Sequence, residues 1–226
     1  MTMPFYVAPE QMMKDRSDYA RKRVALGKSF VAMVYESGIL IAAENSSKTL
    51  HKISEIYDRL AFAGVGLYNE FDQLRQFGVR QADLKGYQYS REDVDARSLA
   101  NSYAQVLGQI FTHEMKPYEV EILVAEVGFE PGGDQLYHVL YNGIMVDEDR
   151  FIAVGGEAET VQARIEDGYA DGMSIGDAVK LAVKALAGPD ETLEAGQLEV
   201  AVLDRTNGRR AFRRIEVDEL ATLLAT

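Results

Sequence analysis

The sequence contains no cysteine among its 226 residues. Disulfide bonds and zinc sites built from thiolates are therefore excluded. No stretch reaches the roughly 18–20 uninterrupted apolar residues that a membrane-spanning helix requires. Residues 1–9 lack the basic start and the apolar centre of a secretory signal peptide. From these absences we expect a cytoplasmic protein that has no membrane partner.

Positive charge is also scarce, because 24 lysine and arginine residues stand against 36 aspartate and glutamate residues. The formal net charge of -12 repels the phosphate backbone of nucleic acids and the surface of anionic lipids. Two basic clusters, at 21–23 and 209–214, are short and fall at a predicted helix end and near a predicted turn. We therefore expect no nucleic-acid partner.

Motifs for common catalytic and cofactor sites are missing too. His51, His113 and His138 are far apart and lack the spacing of a metal site. Residues 64–66 read Gly-Val-Gly, but position 69 is asparagine, so this segment predicts a tight turn rather than a dinucleotide site. No nucleophile elbow and no phosphate-binding P-loop occurs. We expect no metal and no cofactor.

What the sequence does have is the pattern of a folded α+β domain, with 47% hydrophobic and 27% charged residues. Short β-branched and aromatic runs predict strands at 30–35, 39–43, 53–56, 60–65, 120–127, 136–141, 144–147, 151–154, 198–204 and 211–217. Apolar spacing of three or four predicts helices at 10–23, 67–80, 93–112, 157–169, 175–186 and 218–224. Groups of strands alternating with helices predict sheets between helical layers, and no linker divides the chain.

Local signals mark several element ends. Pro9 suits the first turn of the first helix, because proline has no amide hydrogen to satisfy. Ser174 followed by Asp177 resembles a capping box at the start of a later helix. Asn142 followed by Gly143 predicts a hairpin turn of two residues.

Two residues have candidate chemistry of their own. Removal of Met1 would expose Thr2, whose free amine can act as base for its own hydroxyl. Thr2 lies on a tail ahead of a helix, however, where nothing holds it rigidly beside partners. Lys52 lies where a polar loop meets a strand, between Leu50 and Ile53. The residues alone favour a lysine whose stem covers apolar surface.

Four segments together resemble proteasome subunits. Residues 28–45, KSFVAMVYESGILIAAEN, resemble the first hairpin of that family, and residues 50–74 resemble its following strand pair and helix. Residues 95–129 resemble the second helix and fifth strand of an α-type subunit. The N-terminal helix, which mature β-type subunits lack, also favours the α type. Residues 1–22 are most similar to the actinobacterial α branch.

The resemblance implies a four-layer αββα sandwich of the N-terminal-nucleophile hydrolase type. It implies one domain over 1–226, with a gating tail at 1–8, a helix at 9–23 and the sandwich at 28–226. The implied partners are neighbouring α subunits in a homo-heptameric ring and the β subunits of the 20S core particle, which degrades unfolded protein substrates.

The same resemblance implies that this chain has no catalytic residue. The place where a β-type subunit begins with its threonine is occupied by Lys28, which Gly27 precedes in an uninterrupted chain. The acidic partner position is Glu44 rather than aspartate. The family's catalytic residues are therefore expected on the β subunits.

Two further roles come from the resemblance. The gate to the chamber is expected to consist of Thr2, Met3, Pro4, Phe5, Tyr6, Val7 and Ala8. Lys52 matches the lysine that meets the C-terminal carboxylate of a ring-shaped ATPase. A lysine with an apolar rim suits such a carboxylate when a hydrophobic residue or tyrosine precedes it.

Two other interpretations stay open at this stage. One is a catalytic N-terminal-nucleophile hydrolase that uses Thr2 as its threonine nucleophile. The other is an unrelated binding protein that forms rings.

Overall fold

The structure, a computed structural model, describes residues 8–47, 49–189 and 191–225. Within these residues it contains two five-stranded sheets and six α-helices. The strands are β1 Phe30–Tyr35, β2 Gly38–Glu44, β3 Ile53–Tyr57, β4 Leu60–Gly66, β5 Val120–Glu126, β6 Gln135–Val139, β7 Met145–Glu148, β8 Phe151–Val154, β9 Leu198–Asp204 and β10 Phe212–Ile215. The helices are α1 Pro9–Val24, α2 Tyr68–Gln88, α3 Ala96–His113, α4 Ala158–Gly168, α5 Ile175–Ala187 and α6 Val217–Ala225.

Both sheets are antiparallel throughout. The first sheet has the order β10-β9-β2-β1-β8, and the second has the order β3-β4-β5-β6-β7. In the first hairpin Phe30 pairs with Ala43 and Tyr35 with Gly38. The strand that begins at Ile53 is therefore an edge strand of the second sheet, which matters for the site below.

Three apolar cores separate four layers. Successive residues of a strand point to opposite faces, so Phe30 and Ala32 enter the core between the sheets while Val31 and Met33 face the helices. Helices α4, α5 and α6 cover the first sheet, and α2 and α3 cover the second. The predicted four-layer αββα sandwich is confirmed.

Helix α1 lies outside this sandwich and is attached to it by an apolar cluster, in which Ala20 packs with Phe111 and Tyr141, and by polar contacts. Pro9 stands in its first turn, as predicted. The Arg16 guanidinium donates to the carbonyl oxygens of Ile110 and Glu114 at 3.2 and 2.6 Å, so it satisfies acceptors at the end of α3. The Tyr19 hydroxyl and the Arg23 guanidinium both donate to the Glu119 carboxylate, at 3.0 and 2.5 Å.

The predicted end of the second helix at Arg80 is wrong, because α2 continues to Gln88. After Leu74 its inward face has small residues four apart, namely the buried Gly78 and Ala82 and the half-buried Gly86. A Cβ at Gly78 would overlap the Tyr103 hydroxyl, so this face allows a close approach between α2 and α3. A pattern of large apolar residues does not indicate such a face, so the helix was predicted to end too early.

Two smaller predictions also need correction. The second of the paired helices begins at Ala96 rather than Asp93, because the Asp95 carboxylate caps it by accepting from the Ser98 amide at 2.7 Å. The predicted two-residue turn at Asn142-Gly143 is a longer connection, in which the Gly143 amide donates to the Leu140 carbonyl. Gly143 has φ +82°, and a Cβ at this position would overlap the backbone of Gly108.

The predicted cap at Ser174 is confirmed. The Ser174 hydroxyl accepts from the Asp177 amide at 3.2 Å at the start of α5. Gly188, with φ +75°, follows its last residue. Across the described part of the chain, no helix combines the length and the apolar character needed to cross a membrane.

Candidate functional site

The candidate site lies where Lys52 precedes the edge strand β3. Three hydrogen bonds fix its backbone and that of Ile53. The amides of Lys52 and Ile53 donate to the Glu199 carboxylate at 2.8 and 3.1 Å, and the Lys52 carbonyl accepts from Gly64 at 3.1 Å. The Lys52 ammonium donates to the Lys28 carbonyl at 2.7 Å. Its side chain is therefore oriented toward the start of β1.

Burial determines the electrostatics of Lys52. The side chain is half-buried, and this desolvation lowers the pKa of Lys52 to about 8, although Glu44 and Glu199 oppose the shift. The positive charge of Lys28 lowers the pKa of Lys52 further. Lys52 is therefore still mainly protonated at neutral pH, and it is available as a cation.

Glu199 accepts more hydrogen bonds than the other residues described at this site, and no pattern in the sequence indicated it. Its carboxylate is buried, and besides the amides of Lys52 and Ile53 it accepts from Asn45 Nδ2 at 2.7 Å and from Arg214 Nη1 at 2.6 Å. Arg214 also donates to the Ile53 carbonyl. Because Glu199 is on β9 and Ile53 begins β3, one carboxylate joins the two sheets.

A second charged pair lies beside Lys52. The Lys28 ammonium is 3.0 Å from the Glu44 carboxylate, and the Lys28 side chain is 67% exposed. The hydrogen bond to Glu44 raises the pKa of Lys28. The structure thus places Lys28 and Glu44, which the resemblance puts at the threonine position and its acidic partner position, next to Lys52.

Exposed apolar side chains lie on the segments that lead into β1 and β3 and out of β4. Leu26, Leu50 and Leu67 are exposed on the three segments that approach the start of β1 and β3. A cleft of about 400 Å³ is lined among others by Leu26, Lys28 and Glu44, whereas Lys52, Leu50 and Leu67 lie outside its lining. Only Leu50 was named in advance, because the other two leucines are distant from Lys52 in sequence.

The region contains no N-terminal nucleophile at the start of β1. Gly27 and Lys28 lie within continuous backbone, in which the Gly27 amide donates to Val24 and its carbonyl accepts from Gly156. The residue at the strand start has no free α-amine, which N-terminal-nucleophile chemistry requires as a base. Of the predicted gate residues, Thr2, Met3, Pro4, Phe5, Tyr6 and Val7 lie outside the described residues. Ala8 is the extended residue that precedes α1.

Metal binding has no support at this site. Residues 8–47, 49–189 and 191–225 contain no group of three or more histidine, cysteine, aspartate or glutamate side chains placed to hold an ion. His51 lies 3.3 Å from Glu199, and His138 lies 3.1 Å from Glu121 on the second sheet. The histidines therefore have separate local partners.

Comparison with known proteins gives a consistent result. Residues 24–203 match the family model described as proteasome subunit. The chain is 56% identical over 226 residues to "Proteasome subunit alpha" of Xylanimonas cellulosilytica, covering 95% of this chain and 93% of that protein. It is 56% identical over 224 residues to the protein of the same name from Acidimicrobium ferrooxidans, covering 99% and 97% of the two chains. A third relative of that name, from Thermobifida fusca, is 55% identical over 227 residues, covering 99% and 91%.

Proposed function

The chain belongs to the proteasome subunit family, and from this membership we propose that it is a non-catalytic α subunit of the 20S core particle. The observation that carries the proposal is its identity to α subunits over nearly its full length. The site chemistry agrees, because Lys28 in continuous backbone occupies the place where a catalytic threonine would need a free amine.

As an α subunit the chain assembles with other α subunits and with β subunits. We propose a homo-heptameric ring that stacks on the β rings, with the catalytic residues on the β subunits. A cytoplasmic location and unfolded protein substrates belong to the same proposal. Its work is then to hold the β rings and to control access to the chamber.

Access is controlled by residues 2–8. Identical tails around a symmetry axis cannot all occupy the axis, so they either pack asymmetrically or stay mobile. An activator opens the ring by binding the open arrangement more tightly than the closed one. The contacts of Arg16 and Glu119 support this role, because they give the tail a fixed base at α1.

Lys52 receives the terminal carboxylate of a ring-shaped ATPase. An ammonium group has three donors, and the Lys28 carbonyl takes one of them, so donors remain for a carboxylate. The exposed leucines Leu50 and Leu67 suit an apolar or tyrosine residue that precedes that carboxylate.

Deletion of residues 2–8 tests the gate. We expect faster hydrolysis of a bulky peptide by the assembled core particle, because the barrier at the axis is removed, and unchanged hydrolysis of a dipeptide-sized substrate. The measurement is turnover with the same β subunit, with ring assembly checked by size. Unchanged turnover of the bulky peptide at full assembly would contradict the gate.

Lys52→Ala tests the docking role. We expect weaker binding of the ATPase to the core particle, by about tenfold, because a charge-assisted contact is lost. Rings should still form. Lys184→Ala, which removes an exposed lysine on α5, is the matched control and should bind normally. Equal ATPase affinity for Lys52→Ala and the parent protein would refute the assignment.

The two other interpretations have direct tests. Peptide hydrolysis by the purified chain without a β subunit, with an acyl adduct on Thr2, would favour a threonine hydrolase. Failure to form stacked rings with a β subunit would favour an unrelated ring protein. Family membership argues against an unrelated ring protein. Lys28, at the place of the family's catalytic threonine, argues against a threonine hydrolase.

A further inference from the structure

Lys52 is not the only cation at the candidate docking site. The Lys52 ammonium donates to the carbonyl of Lys28, so the residue that supports Lys52 also carries its own ammonium. That second ammonium is on a largely exposed side chain, and it is close enough to Lys52 for its charge to act on the Lys52 ammonium. Two cations at one position form a better receptor for a carboxylate than one.

Two acids lie close to these cations, and they differ in how firmly they are held. Glu199 is buried and accepts from two backbone amides, Asn45 and Arg214, so it is fixed in the fold. Glu44 stands at the end of β2 and is paired with the Lys28 ammonium at 3.0 Å. Glu44 is therefore the acid that can exchange partners without disturbing the sheets.

We propose that Lys28 is a second binding residue for the docking carboxylate, and that Glu44 is the internal carboxylate which this ligand displaces from Lys28. The inference rests on the proposed docking role of Lys52. In the free subunit Glu44 neutralises Lys28. When the terminal carboxylate of a partner enters, it bonds to the ammonium groups of Lys52 and Lys28, and Glu44 turns to solvent. Glu44 thus competes with the ligand and limits its affinity.

A purely structural role for this pair predicts a different outcome. An ion pair this exposed contributes little to folding. Removal of either charge should then leave both the fold and docking unchanged. Competition instead predicts opposite effects of the two substitutions, because loss of Lys28 removes a binding group whereas loss of the Glu44 charge frees it.

The experiment uses the assembled core particle and a labelled heptapeptide with tyrosine as its penultimate residue and a free terminal carboxylate. Its affinity is measured by fluorescence anisotropy, and the same peptide with a terminal amide is the reference. We expect Glu44→Gln to tighten binding of the free acid by about threefold to tenfold, and Lys28→Met to weaken it by a similar factor. The amide peptide should respond to neither change.

Glu157→Gln is the matched control, because Glu157 lines the same cleft and loses the same charge, but it acts on Lys28 only through a weaker Coulomb attraction, whereas Glu44 is also hydrogen-bonded to it. It should change the affinity by less than about twofold, as a rim charge does. In the Lys28→Met background, Glu44→Gln should no longer tighten binding, since the group that it frees is gone.

The outcomes separate the inference from the function on which it rests. Equal effects of Glu44→Gln and Glu157→Gln, or a gain from Glu44→Gln that persists without Lys28, would overturn the competition while Lys52→Ala still weakens binding. If Lys52→Ala and amidation of the peptide both leave binding unchanged, the docking role itself fails, and the inference fails with it.

Discussion

Lys52, the proposed docking residue, illustrates at the residue scale how a charged group is kept in a folded protein at the expense of stability. Burial disfavours its charged form, and the Lys28 carbonyl returns only one hydrogen bond. A lysine with a pKa of about 8 in the folded state and about 10.4 when unfolded destabilises the fold while both states are protonated. This penalty is fully present below pH 8 and disappears as the pH rises toward the unfolded value.

Lys52→Met should therefore stabilise the purified chain. We expect the free energy of unfolding to rise by about 1–2 kcal/mol at pH 7, because the apolar side chain keeps the packing and removes the buried charge. The gain should shrink between pH 8 and pH 10. Urea unfolding at several pH values measures it. Lys184→Met, at an exposed position, should change stability by less than about 0.5 kcal/mol at any of these pH values.

At the residue scale the sequence singled out Lys52 but not its surroundings, and its docking role, which the resemblance implies, stays a prediction. The apolar neighbours of Lys52 are adjacent in the chain, so the local amino-acid sequence was enough to single it out. Glu199 lies almost 150 residues away in a strand that reads as apolar, and its role depends on a contact between two sheets. Spacing along one chain segment contains no signal for such a contact.

The helix pair on the second sheet shows what decides packing at the scale of an element. Large apolar residues of α3 face small residues of α2, and the Tyr103 ring occupies the space that a side chain at Gly78 would need. Tyr103 is fully buried between Phe62 and Phe77. Gly78 is therefore selected by the approach of the two helices and not by its backbone conformation.

Gly78→Ala and Gly108→Ala should have opposite effects on stability. Alanine favours a helix over glycine by about 1 kcal/mol. At Gly108 the new Cβ meets only the Asn142 carbonyl, at 3.8 Å, so we expect a gain of about 0.5–1 kcal/mol. At Gly78 the overlap with Tyr103 should outweigh the gain and destabilise by about 1–3 kcal/mol. Thermal unfolding of the two variants measures the contrast; a gain at both positions would contradict it.

The positions of most elements followed from local pattern, and their ends did not always do so. The hairpin of β1 and β2 was predicted almost to the residue, because β-branched runs flank a short turn. The end of α2 was missed by eight residues, since small residues continue its buried face. Patterns of large apolar residues thus reveal where an element lies better than where it stops.

At the scale of the whole molecule, the two sheets are joined at both ends of the sandwich by buried charges. Glu199 joins them near β3. At the other end the Arg205 guanidinium, just after β9, is 2.7 Å from the Asp134 carboxylate, and the two side chains are only 11% and 3% exposed. The layers were expected from the resemblance, but these two connections follow only from the assembled fold.

Asp134→Asn should destabilise the chain by about 2–4 kcal/mol, because it leaves the Arg205 guanidinium buried without a counter-charge. Asp171→Asn is the matched control, since its pair with Arg150 is 59% and 74% exposed. That variant should change the free energy of unfolding by less than about 1 kcal/mol. Urea unfolding of both compares them, and equal losses would show that burial of the first pair does not matter.

The carboxylate of Glu199 also has a mechanical consequence. A partner that binds Lys52 and pulls on it would apply force at the tip of an edge strand. There the backbone hydrogen bonds between β3 and β4 would otherwise break one after another. Because Glu199 and Arg214 attach that tip to the opposite sheet, part of the force passes into that sheet instead of loading the edge ladder alone.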